Sequence, residues 1–240
     1  RRYEGMGLIG DLCCGTGGDA VALAGVGEVV SVDRDSSRVS ITRWNTDVYG
    51  RSEHWKGITA DVLEWLPRVD ALFFDPQRRE GTRRFTRPAD YQPGVQLDRL
   101  FGITPNVGIK VAPGIPYEEI PPDCEVEFIS ESGACKEAIF WFGGLRSQTS
   151  RRATLLPQED SLELAEVEAI EVKGPGSYLY EPDRAVIRAH LIDKLAHDMG
   201  AWKLDPEIAY LSSDEVVITP FARRFLVLEV FPFSLKRLQD

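Results

Sequence analysis

Gly7-Leu8-Ile9-Gly10-Asp11-Leu12-Cys13-Cys14-Gly15-Thr16-Gly17-Gly18-Asp19 decides the fold, because a short apolar run leads into a cluster of glycines and a helical pattern follows. The order predicts a strand, a tight turn and a helix start. Glycines in such a turn let a ligand lie against bare backbone, while unpaired N–H groups of the helix start point at its polar or anionic parts. A nucleotide-like cofactor suits that arrangement. Further on, Glu28-Val29-Val30-Ser31-Val32-Asp33 reads as a second strand ending in a carboxylate, the place at which nucleotide-binding folds present an acid to a ribose diol.

The glycines fit two readings. Gly15-x-Gly17-x-x-Ala20 is a loose match to the dinucleotide fingerprint and would imply NAD or FAD. Asp11, four residues before Gly15, points elsewhere. Asp11-Leu12-Cys13-Cys14-Gly15-Thr16-Gly17 resembles Asp-Leu-Gly-Cys-Gly-Thr-Gly, the first motif of the class I, Rossmann-like S-adenosylmethionine-dependent methyltransferases. Cys13 departs from that motif by replacing its first glycine, which narrows the approach of backbone to cofactor. The resemblance implies S-adenosyl-L-methionine as cofactor, held by Asp11, Cys13, Gly15, Thr16, Gly17, Asp33 and Asp61. In it Asp33 holds the ribose, Gly15 and Gly17 line the methionine side, and Asp61 sits by the adenine. For Asp33 and Asp61 the alternative is a strand-end carboxylate that caps a helix.

Val69-Asp70-Ala71-Leu72-Phe73-Phe74 is a nearly continuous apolar run, as expected of a strand buried on both faces, and it ends in Asp75-Pro76. Ligands in this fold class occupy the crevice at the carboxyl ends of parallel strands, so Asp75 is expected to face the cofactor. Amino-methylating members of the family resembled here carry Asp-Pro-Pro-Phe/Tyr or Asn-Pro-Pro-Tyr at this point. There the acid or amide accepts a hydrogen bond from the amine, and the aromatic ring stacks on a flipped base. Asp75-Pro76-Gln77-Arg78-Arg79 keeps the acceptor and lacks the ring. Asp75 and Pro76 are thus the candidate catalytic pair. The plain alternative is a turn after a strand.

Arg78, Arg79, Arg83, Arg84 and Arg87 then crowd a loop that contains one acid, Glu80. The whole chain carries a formal net charge of -10, which excludes a surface that coats nucleic acid generally but leaves room for a focused patch. Arginine pairs phosphate bidentately and stacks on bases, with Phe85 and Tyr91 as interleaved aromatic surface. Arg78, Arg79, Arg83 and Arg84 are therefore the candidate RNA contacts. The alternative is an ordinary solvated face paired with the surrounding carboxylates.

With 240 residues, 43% of them hydrophobic, the chain can bury a full core. No apolar run approaches the ~20 residues that span a bilayer, and no signal peptide is visible. These features predict a soluble, cytoplasmic protein with no membrane partner. Cys13, Cys14, Cys124 and Cys135 form neither a metal spacing nor a disulfide framework, and His54, His190 and His197 do not cluster, so no metal is expected. The chain begins Arg1-Arg2-Tyr3 without Met, which leaves room for an upstream segment.

Strand and helix signals alternate through the first two thirds, predicting a doubly wound α/β fold with a mostly parallel, seven-stranded sheet. Strands are expected at 7–13, 29–33, 55–61, 69–75, 107–112, 126–131 and 138–142, the last two as an antiparallel hairpin. A helix is expected over 36–48 with Ser36 as N-cap. Lys110 has two readings, facing solvent or substrate. After Lys173-Gly174-Pro175-Gly176-Ser177 the pattern restarts with a helix opened by Pro182 and strands at 207–211, 216–219 and 224–231. Tyr178-Leu179-Tyr180-Glu181-Pro182-Asp183-Arg184 and Ser212-Ser213-Asp214 resemble the THUMP-like module that accompanies a bacterial group of these methyltransferases, and Cys135-Lys136-Glu137 resembles the same group. The expected domains are a methyltransferase domain over 1–157 and, over 158–240, a connecting segment with a small THUMP-like α+β domain. The resemblance implies methyl transfer to RNA, at a base nitrogen of tRNA or rRNA. A small-molecule methyltransferase and a non-catalytic RNA-binding protein are the two rivals.

Overall fold

The computed structural model describes residues 1–232, apart from the side chains of Arg79, Glu80 and Arg84; the expected domain end at residue 240 lies outside the described residues. In chain order the elements begin β1 (Leu8–Leu12), α1 (Gly18–Leu23), β2 (Glu28–Asp33), α2 (Ser36–Val48), β3 (Trp55–Thr59) and β4 (Ala71–Phe74). A short pair, β5 (Arg79–Glu80) and β6 (Arg83–Arg84), precedes α3 (Leu97–Phe101) and β7 (Val107–Val111). Next come β8 (Glu125–Glu131), β9 (Ala134–Trp141), β10 (Arg151–Leu156) and β11 (Asp160–Glu163). The last elements are β12 (Tyr178–Pro182), α4 (Arg184–Arg188), α5 (Ile192–Met199), β13 (Trp202–Lys203), β14 (Leu211–Ser213) and β15 (Ala222–Leu226).

Two compact units divide the chain. The first holds Arg1–Phe128 and Lys136–Arg151, the second Ile129–Cys135 and the chain from Arg152 onward. Among the described residues the large sheet has nine strands in the order β11-β10-β8-β9-β7-β4-β1-β2-β3. The sequence reading expects seven, and the difference is the hairpin of β10 and β11, whose polar, Arg-rich start hides its strand character. The first unit is an α/β structure whose pairs β1–β2, β1–β4, β2–β3 and β4–β7 are parallel, while β7–β9 is antiparallel. Ala71, Leu72, Phe73 and Phe74 are all buried, as a strand covered on both faces requires. Ile9, Leu12, Val32, Leu72, Ile109 and Phe140 form the centre of that core.

Helix α2 has its polar side inward. Thr42 and Thr46 are its buried residues, whereas Trp44 and Val48 are 68% and 80% exposed. The glycine turn explains the inversion: Thr42 Oγ1 donates to the Gly15 carbonyl at 3.1 Å and Asn45 Nδ2 to the Thr16 carbonyl at 2.7 Å. The N-cap is Asp35, not Ser36, since the Asp35 carboxylate takes the Ser37 N–H at 2.8 Å. A charged acceptor one residue earlier outcompetes the hydroxyl.

In the second unit, β13-β14-β12-β15 form a separate four-stranded antiparallel sheet. The single helix expected after Pro182 is two, because His190 takes a positive φ of 52° between α4 and α5. Asp183 caps α4 by accepting from the Ala185 N–H at 2.8 Å, while Pro182 ends β12. The apolar spacing survives the break, since Ala185, Val186, Ala189, Leu191, Leu195 and Ala196 are all buried. The strand expected at 216–219 does not form. Val217 gives its N–H to the buried Tyr180 hydroxyl at 2.8 Å, and so has none for a ladder.

Candidate active site at the strand ends

The site is assembled in the first unit by the carboxyl ends of β1, β2, β4 and β7. After Leu12 the chain turns sharply: Cys13 and Cys14 both give their N–H to the Val32 carbonyl, at 2.8 and 3.2 Å. Cys13 takes φ 63°, Gly15 φ 55° and Gly17 φ 88°, so the turn needs three left-handed residues and only two are glycine. A Cβ on Gly17 would lie 2.7 Å from Thr42 Cγ2, so α2 closes on the turn there. The space beside Gly15 and Gly18 is open, with Cys13 O at 4.0 Å the nearest atom to a Cβ on Gly15 and nothing nearer than 4 Å to one on Gly18. Bare backbone therefore faces outward at those two positions, as a ligand-cradling turn requires.

Each expected acid has a defined surrounding. Asp33 is 3% exposed; its Oδ2 accepts the Gly15 N–H and its Oδ1 the Asp35 N–H, both at 3.0 Å, with Arg38 3.9 Å away. Asp61 caps its own loop through the Leu63 N–H at 2.8 Å. Asp11 is 1% exposed and accepts the Ser31 hydroxyl at 2.7 Å, and Ser31 in turn accepts the Trp55 indole N–H at 2.7 Å. Burial pushes the Asp11 carboxyl up to about 7, against the pull of the Ser31 hydroxyl. Burial also pushes the Cys13 and Cys14 thiols up to about 12, with neighbouring carboxylates adding to the shift. Both stay protonated at neutral pH and are poor nucleophiles.

Asp75 follows β4 and gives its N–H to the Leu12 carbonyl at 3.2 Å, which sets it beside the turn. Pro76 behind it is buried. Three carboxylates from three elements converge on Lys110: Asp19 of α1 at 3.2 Å, Asp75 at 3.3 Å and Glu137 of β9 at 3.4 Å. Arg78 lies 4.0 Å from Asp75 and donates to the Val111 carbonyl at 2.9 Å. Burial raises the Asp75 carboxyl above the usual carboxylate range, while Lys110 and then Arg78 pull it down. The Lys110 ammonium is held above its ordinary range, because the three carboxylates outweigh its desolvation. Lys110 is thus turned toward these carboxylates and away from solvent.

The sequence reading missed Asp19 and Glu137. Asp19 adjoins the glycines and could have been suspected, while Glu137 meets Lys110 only because β9 lies antiparallel to β7, with Val111 opposite Ala138. The arginine loop differs from expectation. Phe85 and Tyr91 are buried, not displayed: the Tyr91 hydroxyl accepts the Ala112 N–H at 2.9 Å and donates to the Thr86 carbonyl. Arg83 is exposed over the Phe85 ring at 5.1 Å, and Arg87 pairs with Glu119 at 3.4 Å. The side chains of Arg79 and Arg84 lie outside the described residues. A shallow cleft lined by Leu12, Val62, Leu63, Phe74, Gly94 and Gln96 among others opens at the ends of β1 and β4. Its walls are largely apolar.

Among the described residues no group of acids, histidines and cysteines is arranged to hold a metal ion. No helix is long and apolar enough to cross a membrane, again among the described residues. A parallel sheet whose first strand runs into a glycine turn, with acids at the neighbouring strand ends, defines a Rossmann-like nucleotide-cofactor protein. The comparisons narrow that class. Two uncharacterized S-adenosylmethionine-dependent methyltransferases, from two strains of Mycobacterium tuberculosis, are 36% identical over all of this chain and 67% of their own length. The chain belongs to the S-adenosylmethionine-dependent methyltransferases. Residues 6–105 match the family model of the RNA cap guanine-N2 methyltransferases. A crystal structure from Porphyromonas gingivalis W83 that bears the name methyltransferase superposes with a TM-score of 0.78 at 21% identity, covering 98% of this chain and 65% of that one. That likeness shows the fold. The chain spans about two thirds of each of these longer relatives.

Proposed function

We propose that the chain transfers the methyl group of S-adenosyl-L-methionine to a nitrogen in RNA, with Asp75 as the group that meets the acceptor. The observation that carries the reading is the placement of Asp75. It stands at the end of a strand buried on both faces, beside the glycine turn, partly open and paired with a cation on each side. The match of residues 6–105 to the RNA cap guanine-N2 methyltransferases supports RNA as the substrate class.

The residues present fit the cofactor. The open backbone at Gly15 and Gly18, with Thr16 between, suits the methionine part, Asp33 and Asp61 suit the ribose and adenine polar groups, and the apolar cleft suits the ring. Bound there, the cofactor supplies a methyl group already activated on a sulfonium. The protein's share of the chemistry is placement, worth up to ~7–11 kcal/mol in well-oriented systems. Asp75 accepts a hydrogen bond from the acceptor amine and takes its proton as the N–C bond forms. A carboxyl raised above the usual range is the stronger base once ionised. Cys13 and Cys14, protonated near neutrality, carry no covalent step.

We further propose the C-terminal unit as a THUMP-like RNA-docking module, in which exposed Arg223 and Arg224 lie over Phe225 and Tyr178 at 4.7 and 5.9 Å. One observation favours a small-molecule acceptor instead: Arg78 is folded onto backbone and Asp75, and the loop's aromatic rings are buried. Labelled cofactor incubated with total RNA, and in parallel with an RNA-free small-molecule extract, decides between them. Label in RNA that disappears with Asp75→Ala is the expected result. Label only in small molecules overturns the RNA assignment.

A further inference from the structure

Lys110 sits where the proposed chemistry leaves it without a role. Its side chain is 14% exposed, it lies 5.9 Å from the Phe73 ring, and its ammonium has as many N–H donors as there are carboxylates around it. Those carboxylates come from α1, the end of β4 and β9, so the lysine joins three separate parts of the unit. The cation lies at the point where all three converge. Buried Lys is seldom retained without a partner, and one lysine among three acids leaves excess negative charge beside Asp75.

We propose that Lys110 is a positioning residue for methyl transfer: it holds the Asp75 carboxylate ionised and aimed at the acceptor, and Asp19 and Glu137 share its charge and so limit that hold. The inference rests on the reading of Asp75 as the acceptor-binding group. Asp75 meets Lys110 from β7 and Arg78 from its own loop, while Glu137 of β9 and Asp19 of α1 share Lys110 with it. The charges of Asp19 and Asp75 each act on Asp11 of β1. Tyr91 and the Cys13 thiol, both raised, stay neutral beside it. Of the charged groups around Asp75, Lys110 and Arg78 favour the anion, whereas Asp19 opposes it. The sign of each substitution follows. Loss of Lys110 raises the pH at which Asp75 ionises, and loss of the Asp19 charge lowers it, both directly and by freeing Lys110.

Carbon-13 NMR of aspartate carboxyls in the full chain, with S-adenosylhomocysteine bound and the Asp75 signal assigned by its absence in Asp75→Asn, reads this without any acceptor. Lys110→Gln is expected to raise the Asp75 titration midpoint by about one pH unit or more, and Lys110→Arg to restore most of it. Asp19→Asn, at a partly exposed site, is expected to lower the midpoint, and it tests the same coupling if Lys110→Gln does not fold. An Asp75 midpoint that neither substitution moves, or that both move the same way, overturns the proposal. Transfer to RNA by Asp75→Asn at the wild-type rate would instead overturn the reading of Asp75 itself, whatever the titration shows.

Discussion

Asp33 and Asp75 end nearby strands in the parallel part of the large sheet, and each closes an apolar strand signal with a carboxylate. Around Asp33, both oxygens take backbone N–H groups at 3.0 Å, one from the glycine turn and one from Asp35, and the side chain is 4% exposed. Around Asp75, the partners are the charged ends of two long side chains, Lys110 and Arg78, and the side chain is 28% exposed. Backbone donors enclose the Asp33 carboxylate, whereas the more exposed Asp75 carboxylate keeps room for a further donor. Two similar signals in sequence therefore give an acid that braces the glycine turn and, in the function proposed above, a group open to an acceptor. What stands opposite the acid decides the role.

The largest effects should separate these roles. Asp75→Ala is expected to lower the methyl-transfer rate by ~100-fold or more, the usual scale for a positioned base, with cofactor affinity within a few fold by calorimetry. Asp33→Ala is expected to weaken S-adenosylmethionine about ten- to a hundredfold, the scale of ~1.5–3 kcal/mol for a charge-assisted hydrogen bond. Equal loss of cofactor binding in both variants would erase the distinction and make Asp75 a second brace.

How far this was legible in sequence follows from the same contrast. Local order was: the turn at 13–17, α2 over Ser36–Val48 and the acids at the ends of β2 and β4 stand where glycine spacing, periodicity and apolar runs predict. Groups that meet through the sheet were not. Lys110 touches residues 91, 35 and 27 positions away in the chain, at 19, 75 and 137, and a strand's alternation offers two faces without saying what lies across from either. The inward threonines of α2 were hidden for a related reason. Periodicity assigns the apolar face to the core, and here the core side must supply donors to the Gly15 and Thr16 carbonyls. Phe85 and Tyr91 read as surface because their loop is polar, yet the Tyr91 hydroxyl is needed at the Ala112 N–H.

Asp11 lies on β1, between the two strands compared, and it gives a smaller, pH-dependent test. Its carboxyl rises from 3.8 in the unfolded chain to about 7 in the fold. Between about pH 4 and 7 the native state therefore binds more protons than the unfolded one, so stability falls as pH rises through that window. The slope approaches about 1.4 kcal/mol per pH unit, the value for one proton. Asp11→Asn removes the titration and should flatten that part of the profile in urea unfolding of the cofactor-free protein. Parallel profiles for the two proteins would place the Asp11 proton outside the folding balance.

The finest test lies within the turn that Asp33 braces, where Gly15 and Gly17 share a left-handed backbone but not their surroundings. Alanine at either costs about 1–2 kcal/mol for the left-handed conformation. At Gly15 that is the whole expected stability loss, since a Cβ there meets nothing nearer than Cys13 O at 4.0 Å; it would instead project into the space assigned to the cofactor. At Gly17 the Cβ also presses on Thr42, 2.7 Å from Cγ2 and 3.0 Å from Cα, on the residue that holds the Gly15 carbonyl. Gly17→Ala should therefore unfold at lower denaturant than Gly15→Ala, while Gly15→Ala should lose the more cofactor affinity. Denaturation and calorimetry on the two variants read the two quantities separately. If the order of affinities is reversed, the open side of the turn is not the cofactor side, and Asp33 braces a turn that serves the fold alone.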